Sequence, residues 1–400
     1  DARAYNDRGL AYYYLKEYQK ALADFDRVIE LDPTNVKIYN DRGLAYYYLK
    51  EYQKALADFD RAIELDPMDA RAHHNRGLVY YTLKEDQKAL AACDRAIELE
   101  PAYALAYYNR GLVYYYYLKE DQKALADFDR VIELIPTDAK AYYYRGLVHY
   151  ALKEYPKALA DLGRAVELDP TDARAYNDRG LAYYYLKEYQ KALADFDRVI
   201  ELDPTNVKIY NDRGLAYYYL KEYQKALADF DRAIELDPTD ARAYHNRGLV
   251  YYTLREDEKA LTAYNRAIEF DPAYALTYYN RGLVYYALKE DQQALADFDR
   301  ALELDPAYAK AYYYRGLVYF LLREDKKALA DFDHALDLGF IDTNIHRYRH
   351  LAQEALKGSQ TSVRDDRRPS LDHTLVENDL DGRERRHGIT DPGGRVDLNP

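Results

Sequence analysis

Acidic pairs recur along this 400-residue chain, as Asp24 and Asp26, Asp58 and Asp60, Asp127 and Asp129, and on to Asp331 and Asp333. Two neighbouring carboxylates are the equipment of general acid–base chemistry, one held protonated and the other ionised. Residues two apart on a helix point to different faces, however, and a catalytic pair has no reason to be written many times over. With Lys20, Arg27 and Glu30 close by, the pairs read as a solvated charged face. His346 and His350 have the i, i+4 spacing of two metal ligands on a helix, but the glutamate of a metalloprotease motif is missing, so they read as surface histidines. His73 and His74 replace Tyr39 and Asn40 of the preceding stretch and read as ordinary drift. Cys93, the one cysteine, permits no internal disulfide and stands where Phe25, Phe59 and Phe128 stand elsewhere. It reads as a small core residue, since no activating base recurs beside it. No phosphate loop, nucleophile elbow or zinc spacing appears. The expectation is therefore no enzyme within residues 1–356, no catalytic residue, no cofactor and no metal site.

What positions these residues is a unit that repeats. An Arg-Gly-Leu triplet returns with its glycine at Gly9, Gly43, Gly77, Gly111, Gly146, Gly180, Gly214, Gly248, Gly282 and Gly316, a period of 34 with a single 35. Prolines from Pro33 to Pro306 keep the same phase. A fixed period of this length marks a repeat array. In the first unit, residues 3–15 place Tyr5, Gly9, Tyr12 and Leu15 at helical spacing, and residues 18–31 do so with Tyr18, Ala21, Leu22, Phe25, Val28 and Ile29. Two helices are predicted, joined at Lys16-Glu17 and closed at Asp32-Pro33, because proline cannot continue a helix. Thr34, or the aspartate at Asp1, Asp69 and Asp172, is expected to cap the next first helix. Glycine inside a helix costs about 1 kcal/mol relative to alanine, so its return implies that the second helix crosses there and leaves no room for a side chain.

Tyr5, Gly9, Tyr12, Ala21, Phe25 and Pro33 together resemble the tetratricopeptide repeat, and the same pattern recurs in phase ten times. The resemblance implies an all-α fold, an α-solenoid in which antiparallel helix pairs stack into a right-handed superhelix. First helices would line a concave groove that usually binds an extended or helical peptide. Within that face two ladders stand out: Asp7, Asp41, Asn75, Asn109, Asp178, Asp212, Asn246 and Asn280, and beside it Tyr13, Tyr47, Tyr81, Tyr184, Tyr218, Tyr252 and Tyr286. Tyrosine offers a large contact area with few rotors, and Asn or Asp can pair with backbone amides, so these are the candidate peptide-binding residues. The same tyrosines equally suit packing between adjacent first helices. Leu10 and its equivalents occupy a site where the family's clamp for a terminal carboxylate needs a polar residue, although Lys37 and Arg71 offer positive charge nearby. Arg8, Arg42 and Arg76, before the glycines, are expected to form inter-repeat ion pairs with acidic second helices.

Residues 1–67 are identical to 172–238, which divides residues 1–340 into two five-repeat blocks, 1–171 and 172–340. A doubled block suggests two similar binding sites. Tyr115-Tyr116-Tyr117 carries the one-residue insertion, so an irregularity is expected at 114–118, because one added residue turns a helix by about 100°. Residues 341–357 read as a capping helix, and 358–400, without aromatic residues or lysine, as a disordered polar tail. A net charge of −13 argues against nucleic acid, whose phosphates require clustered Lys and Arg. No apolar run approaches the roughly 20 residues that span a bilayer, so no membrane partner and a cytoplasmic location are expected. Asp1 opens the sequence at a repeat boundary in place of methionine, so a preceding segment is expected. The function expected is a non-catalytic protein–protein interaction scaffold holding a protein or peptide ligand. The alternative is a substrate-recruiting arm of an enzyme whose catalytic domain lies upstream of residue 1.

Overall fold

The computed structural model describes residues 1–342 and 344–357, so the tail expected to be disordered lies outside the described residues. Among those described there are 21 α-helices and no strand. They fall into two compact units, Asp1–Leu186 and the chain from Lys187 on.

The first unit holds α1 (Ala2–Tyr14), α2 (Tyr18–Leu31), α3 (Val36–Tyr48), α4 (Tyr52–Leu65), α5 (Ala70–Thr82) and α6 (Asp86–Leu99). It continues with α7 (Ala104–Val113), α8 (Asp121–Leu134), α9 (Ala139–Ala151), α10 (Tyr155–Leu168) and α11 (Ala173–Tyr185). α1, α3, α5, α7 and α9 each pack on the helix that follows, and the pairs succeed one another as an all-α solenoid. The second unit holds α12 (Tyr189–Leu202), α13 (Val207–Tyr219), α14 (Tyr223–Leu236), α15 (Ala241–Thr253) and α16 (Asp257–Phe270). After these come α17 (Ala275–Leu288), α18 (Asp291–Leu304), α19 (Ala309–Leu321), α20 (Asp325–Asp337) and α21 (Ile345–Leu356), packed in the same consecutive way.

The crossing inside each pair explains the periodic glycine. A Cβ built on Gly9 would lie 2.6 Å from Cε1 of Phe25, and one on Gly43 2.5 Å from Cε1 of Phe59. Phe25 and Phe59 are fully buried, each contributing roughly 1.5–3 kcal/mol of apolar burial. Cys93 is buried at the same position of its repeat, and burial pushes its thiol up to about 12.

A left-handed lysine or arginine ends each first helix, at φ 61° for Lys16, 63° for Lys50 and 59° for Lys84. Around it Lys16 N–H donates to Tyr13 O and Glu17 N–H to Tyr12 O, the paired bonds that close a helix whose next residue is left-handed. Asn35, not Thr34, caps α3: its side chain accepts from Ile38 N–H at 3.3 Å. Thr34 instead gives its N–H and its hydroxyl to Asp32, which competes for it as a local turn partner. Asp1, Asp69 and Asp172 cap as expected.

The acidic pairs are not one solvated face. Asp24 is only 4% exposed and takes a two-pronged bond from Arg8, Nε to Oδ2 at 2.8 Å and Nη2 to Oδ1 at 2.7 Å. Arg42 forks on Asp58 in the same way while its Nη1 donates to Asp26 of the preceding repeat at 2.7 Å. The arginines thus join helices both within a repeat and between repeats. Corresponding forks form at Arg110 on Asp127 and Arg145 on Asp161, and in the second unit at Arg213 on Asp229, Arg281 on Asp297 and Arg315 on Asp331. Such bidentate charge-assisted bonds add geometric specificity as well as energy.

The inserted residue is absorbed as a π turn over Tyr114–Leu118, after which Lys119 is left-handed at φ 58°. In the second unit α21 closes the described chain: Tyr348 is buried against Phe320 with ring centroids 5.6 Å apart, and Arg349 donates to Asp333. His346 and His350 are exposed.

Candidate functional site

Most of the two ladders on the first helices turn out to connect those helices. Asn75 Nδ2 donates to Asn40 Oδ1 at 3.2 Å, and Tyr47 gives its hydroxyl to Thr82 Oγ1 at 3.0 Å. Asn109 Nδ2 lies 2.7 Å from His74 Nε2, and Tyr143 donates to Asp178 Oδ2 at 2.9 Å. Each of these bonds spans 35 residues, one repeat plus one position, which sets successive first helices edge to edge. Tyr81 packs on Tyr117 with centroids 5.3 Å apart and Tyr184 on Tyr185 at 5.9 Å.

Equivalent contacts build the second unit. Asn246 Nδ2 donates to Asn211 Oδ1 at 3.5 Å, Asn280 Nδ2 to His245 Nε2 at 3.2 Å, and Tyr218 to Thr253 Oγ1 at 3.1 Å. Asp212, Tyr252 and Tyr286 are buried, the last against Tyr314 with centroids 6.0 Å apart.

Three of the candidate residues meet at open space. In the first unit Tyr13, Asp41 and Asn75 border a cleft of about 340 Å³ on the face made by α1, α3, α5 and the start of α7. Leu10, Leu44, Leu105 and Tyr14 supply its apolar walls, and Lys37, Arg71 and Tyr103 its other polar ones. Asp7 is exposed beyond it, joined to Arg3 at 3.9 Å.

The electrostatics of the cleft centre on Asp41. It is 5% exposed, and its Oδ1 accepts from Arg71 Nη2 at 2.8 Å while Oδ2 is buried with no partner. Burial holds its carboxyl above the usual range, and Arg71 and Lys37 offset that only in part. A buried carboxylate oxygen with an open lone pair favours an added N–H donor. Lys37 is exposed, and the ring of Tyr14 is 59% exposed at the rim. The ring of Tyr13 is held edge-on between Tyr18 and Tyr48, at 5.7 and 5.8 Å, so it forms a rigid wall. The cleft can therefore hold a short apolar stretch and take backbone or side-chain polar groups at defined points.

Leu44, Leu105 and Tyr103 were missed in the sequence. Tyr103 stands just before α7, outside the helical period, and reaches the cleft because its hydroxyl lies 3.3 Å from His74 Nδ1. Leu44 repeats Leu10 one unit on, whereas Leu105 stands where Arg3, Lys37 and Arg71 stand in the earlier repeats, so a single repeat does not show which of them border a gap. Among the described residues no group of three or more His, Cys, Asp or Glu is placed to hold a metal, and no helix is long and apolar enough to cross a membrane.

Comparison with known families is uniform along the chain. A model described as TPR repeat matches residues 43–84, 146–187, 214–254 and 256–289. One described as Tetratricopeptide repeat matches 2–35, 70–103, 173–206 and 275–308, and two more of that description match 25–57, 196–228 and 105–137. No curated protein matches the sequence. Among solved structures the chain is similar to YrrB, described as a TPR protein with an unusual peptide-binding site, at 31% identity over 45% of this chain and 92% of that one, with a TM-score of 0.42. The Cut9–Hcn1 hetero-tetramer of APC/C is similar at 13% identity over 86% and 95%, with a TM-score of 0.49. A tetratricopeptide repeat protein from Parabacteroides merdae is similar at 20% identity over 62% and 98%, with a TM-score of 0.45. With family matches running from residue 2 to residue 308 in phase with the helix pairs, the chain belongs to the tetratricopeptide repeat family.

Proposed function

We propose that the chain is a non-catalytic scaffold that holds an extended peptide segment in the cleft on α1, α3, α5 and α7. The family itself supports protein–protein interaction as the broad role. The observation that carries the finer reading is Asp41, which borders a cleft walled by leucine and tyrosine and whose buried Oδ2 has no partner. A peptide N–H would satisfy that oxygen, apolar side chains would cover Leu10 and Leu44, and Lys37 would meet an acidic or carbonyl group. In this reading the ten repeats form two blocks, 1–171 and 172–340, with α21 as the cap. One peptide per chain is expected at the cleft of the first unit, against the two that the doubled block suggests.

Selection of a random peptide library on the full chain, followed by calorimetry with the selected peptide, tests this. Lys37→Ala with Tyr14→Ala, both on exposed side chains, should weaken binding at least tenfold with no change in melting temperature and a wild-type stoichiometry of one. Unchanged affinity in that variant would place the ligand elsewhere.

A further inference from the structure

The forked arginines have two exceptions, one in each unit. Arg76 and Arg247 stand where Arg42 and Arg213 stand in the repeats before them, but the facing second helices carry Ala92 and Ala263 in place of aspartate. Each guanidinium is still fixed from the preceding repeat, Arg76 Nη1 to Asp60 Oδ1 at 3.0 Å and Arg247 Nη1 to Asp231 Oδ1 at 2.8 Å. The opposite edge carries no carboxylate: Nε of each is buried without a partner. In the intact forks, that edge holds a carboxylate, as Arg42 shows with Nε on Asp58 Oδ2 at 2.8 Å and Nη2 on Oδ1 at 2.6 Å.

We infer that Arg76 and Arg247 are each the recognition group of a carboxylate site, opened by Ala92 and Ala263 and shaped for an acidic side chain of a bound protein or a small free carboxylate. The planar edge of guanidinium fits two carboxylate oxygens, which chloride, a single sphere, does not match. Replacing aspartate by alanine removes only the carboxylate and keeps Cβ, so the group each arginine lacks is one carboxylate. Charge points the same way. Arg42 is flanked by two carboxylates, whereas Arg76 and Arg247 each have one, so an added anion restores the balance seen in the neighbouring repeats. The guanidinium of Arg247 is further held over the ring of Tyr244, 5.1 Å from its centroid, so the unpartnered edge is preorganised. These sites do not depend on the cleft around Asp41 and stand or fall separately.

The test is thermal unfolding of the full chain in sodium formate against sodium chloride at equal ionic strength. The wild type should melt a few degrees higher in formate, by linkage to the folded state. Ala92→Asp with Ala263→Asp should melt higher than wild type in chloride and show no further gain in formate. An equal formate increment in wild type and variant would overturn the site. If the aspartate variant fails to fold, Arg76→Gln with Arg247→Gln decides instead: loss of the increment supports the site and its persistence overturns it. N-acetyl-aspartate N-methylamide distinguishes the sources. An Arg-dependent increment with that compound assigns the sites to a partner's acidic side chain, an increment with formate alone assigns them to a small free carboxylate, and no increment with either overturns both.

Discussion

Asn109 Nδ2 lies 2.7 Å from Nε2 of His74 in the core of the first unit. The amide is a donor, so Nε2 is an acceptor and the ring proton sits on Nδ1, 3.2 Å from Asn75 Oδ1. A second proton on the ring would meet the amide hydrogens of Asn109 head-on in a site closed to solvent. Burial accordingly lowers the imidazole to about 4.

The unfolded chain titrates this histidine near its ordinary value of about 6.5, so the contribution is complete above that pH and is lost as pH falls toward 4. At pH 5 the loss is on the order of 2 kcal/mol. Asparagine occupies this position at Asn40 and Asn211, so His74→Asn should fold and should show a smaller drop in urea midpoint between pH 7 and pH 5. Parallel midpoints would refute the assignment.

Gly43→Ala and Gly77→Ala should differ sharply. The first Cβ meets a fully buried ring at 2.5 Å, the second Ala92 Cβ and Cys93 Sγ at 3.2 Å and Ala89 O at 3.4 Å. Overpacking by a methyl group costs about 1–3 kcal/mol, against a helix-propensity gain of about 1 kcal/mol. Gly43→Ala should therefore be clearly destabilising and Gly77→Ala close to neutral, as read from urea midpoints.

Lys84 is left-handed at φ 59°, a conformation in which a side chain crowds the backbone and glycine does not. Lys84→Gly should stabilise the first unit by up to about 1 kcal/mol, visible as a higher melting temperature. A lower one would show that the lysine side chain contributes more than its backbone strain.

Asp58→Ala should cost about 3–5 kcal/mol, because it strands the inner edge of Arg42 in a poorly hydrated crossing. Glu64→Ala, which removes the exposed partner of Arg61, should be close to neutral, because solvent screens an exposed pair. Comparable losses in chemical denaturation would mean that burial of the fork contributes nothing.

The helix pairs were legible because their determinants are local and periodic. Gly9 and Phe25 meet within one repeat, and Pro33 ends a helix without help from distant residues. What was not legible lies between repeats or across the helix crossing. Asp24 looked solvated beside Lys20 and Arg27, but Arg8, 16 residues away, reaches over from the other helix to bury it. The Asn, Asp and Tyr ladders looked like open recognition surface because each repeat presents them outward. Bonds spanning 35 residues turn most of them into the seam between first helices, while the neighbourhood of Tyr13, Asp41 and Asn75 keeps a cleft.

Beyond the π turn at Tyr114–Leu118 the next repeat resumes its usual contacts, with Arg145 forked on Asp161 and Gly146 against Leu162. The extra residue is thus quarantined inside one loop of backbone. A chain with this property keeps its place by counting repeats, not residues. The end of a first helix is consequently a natural port for splicing in a probe or label, with the rest of the array left in step.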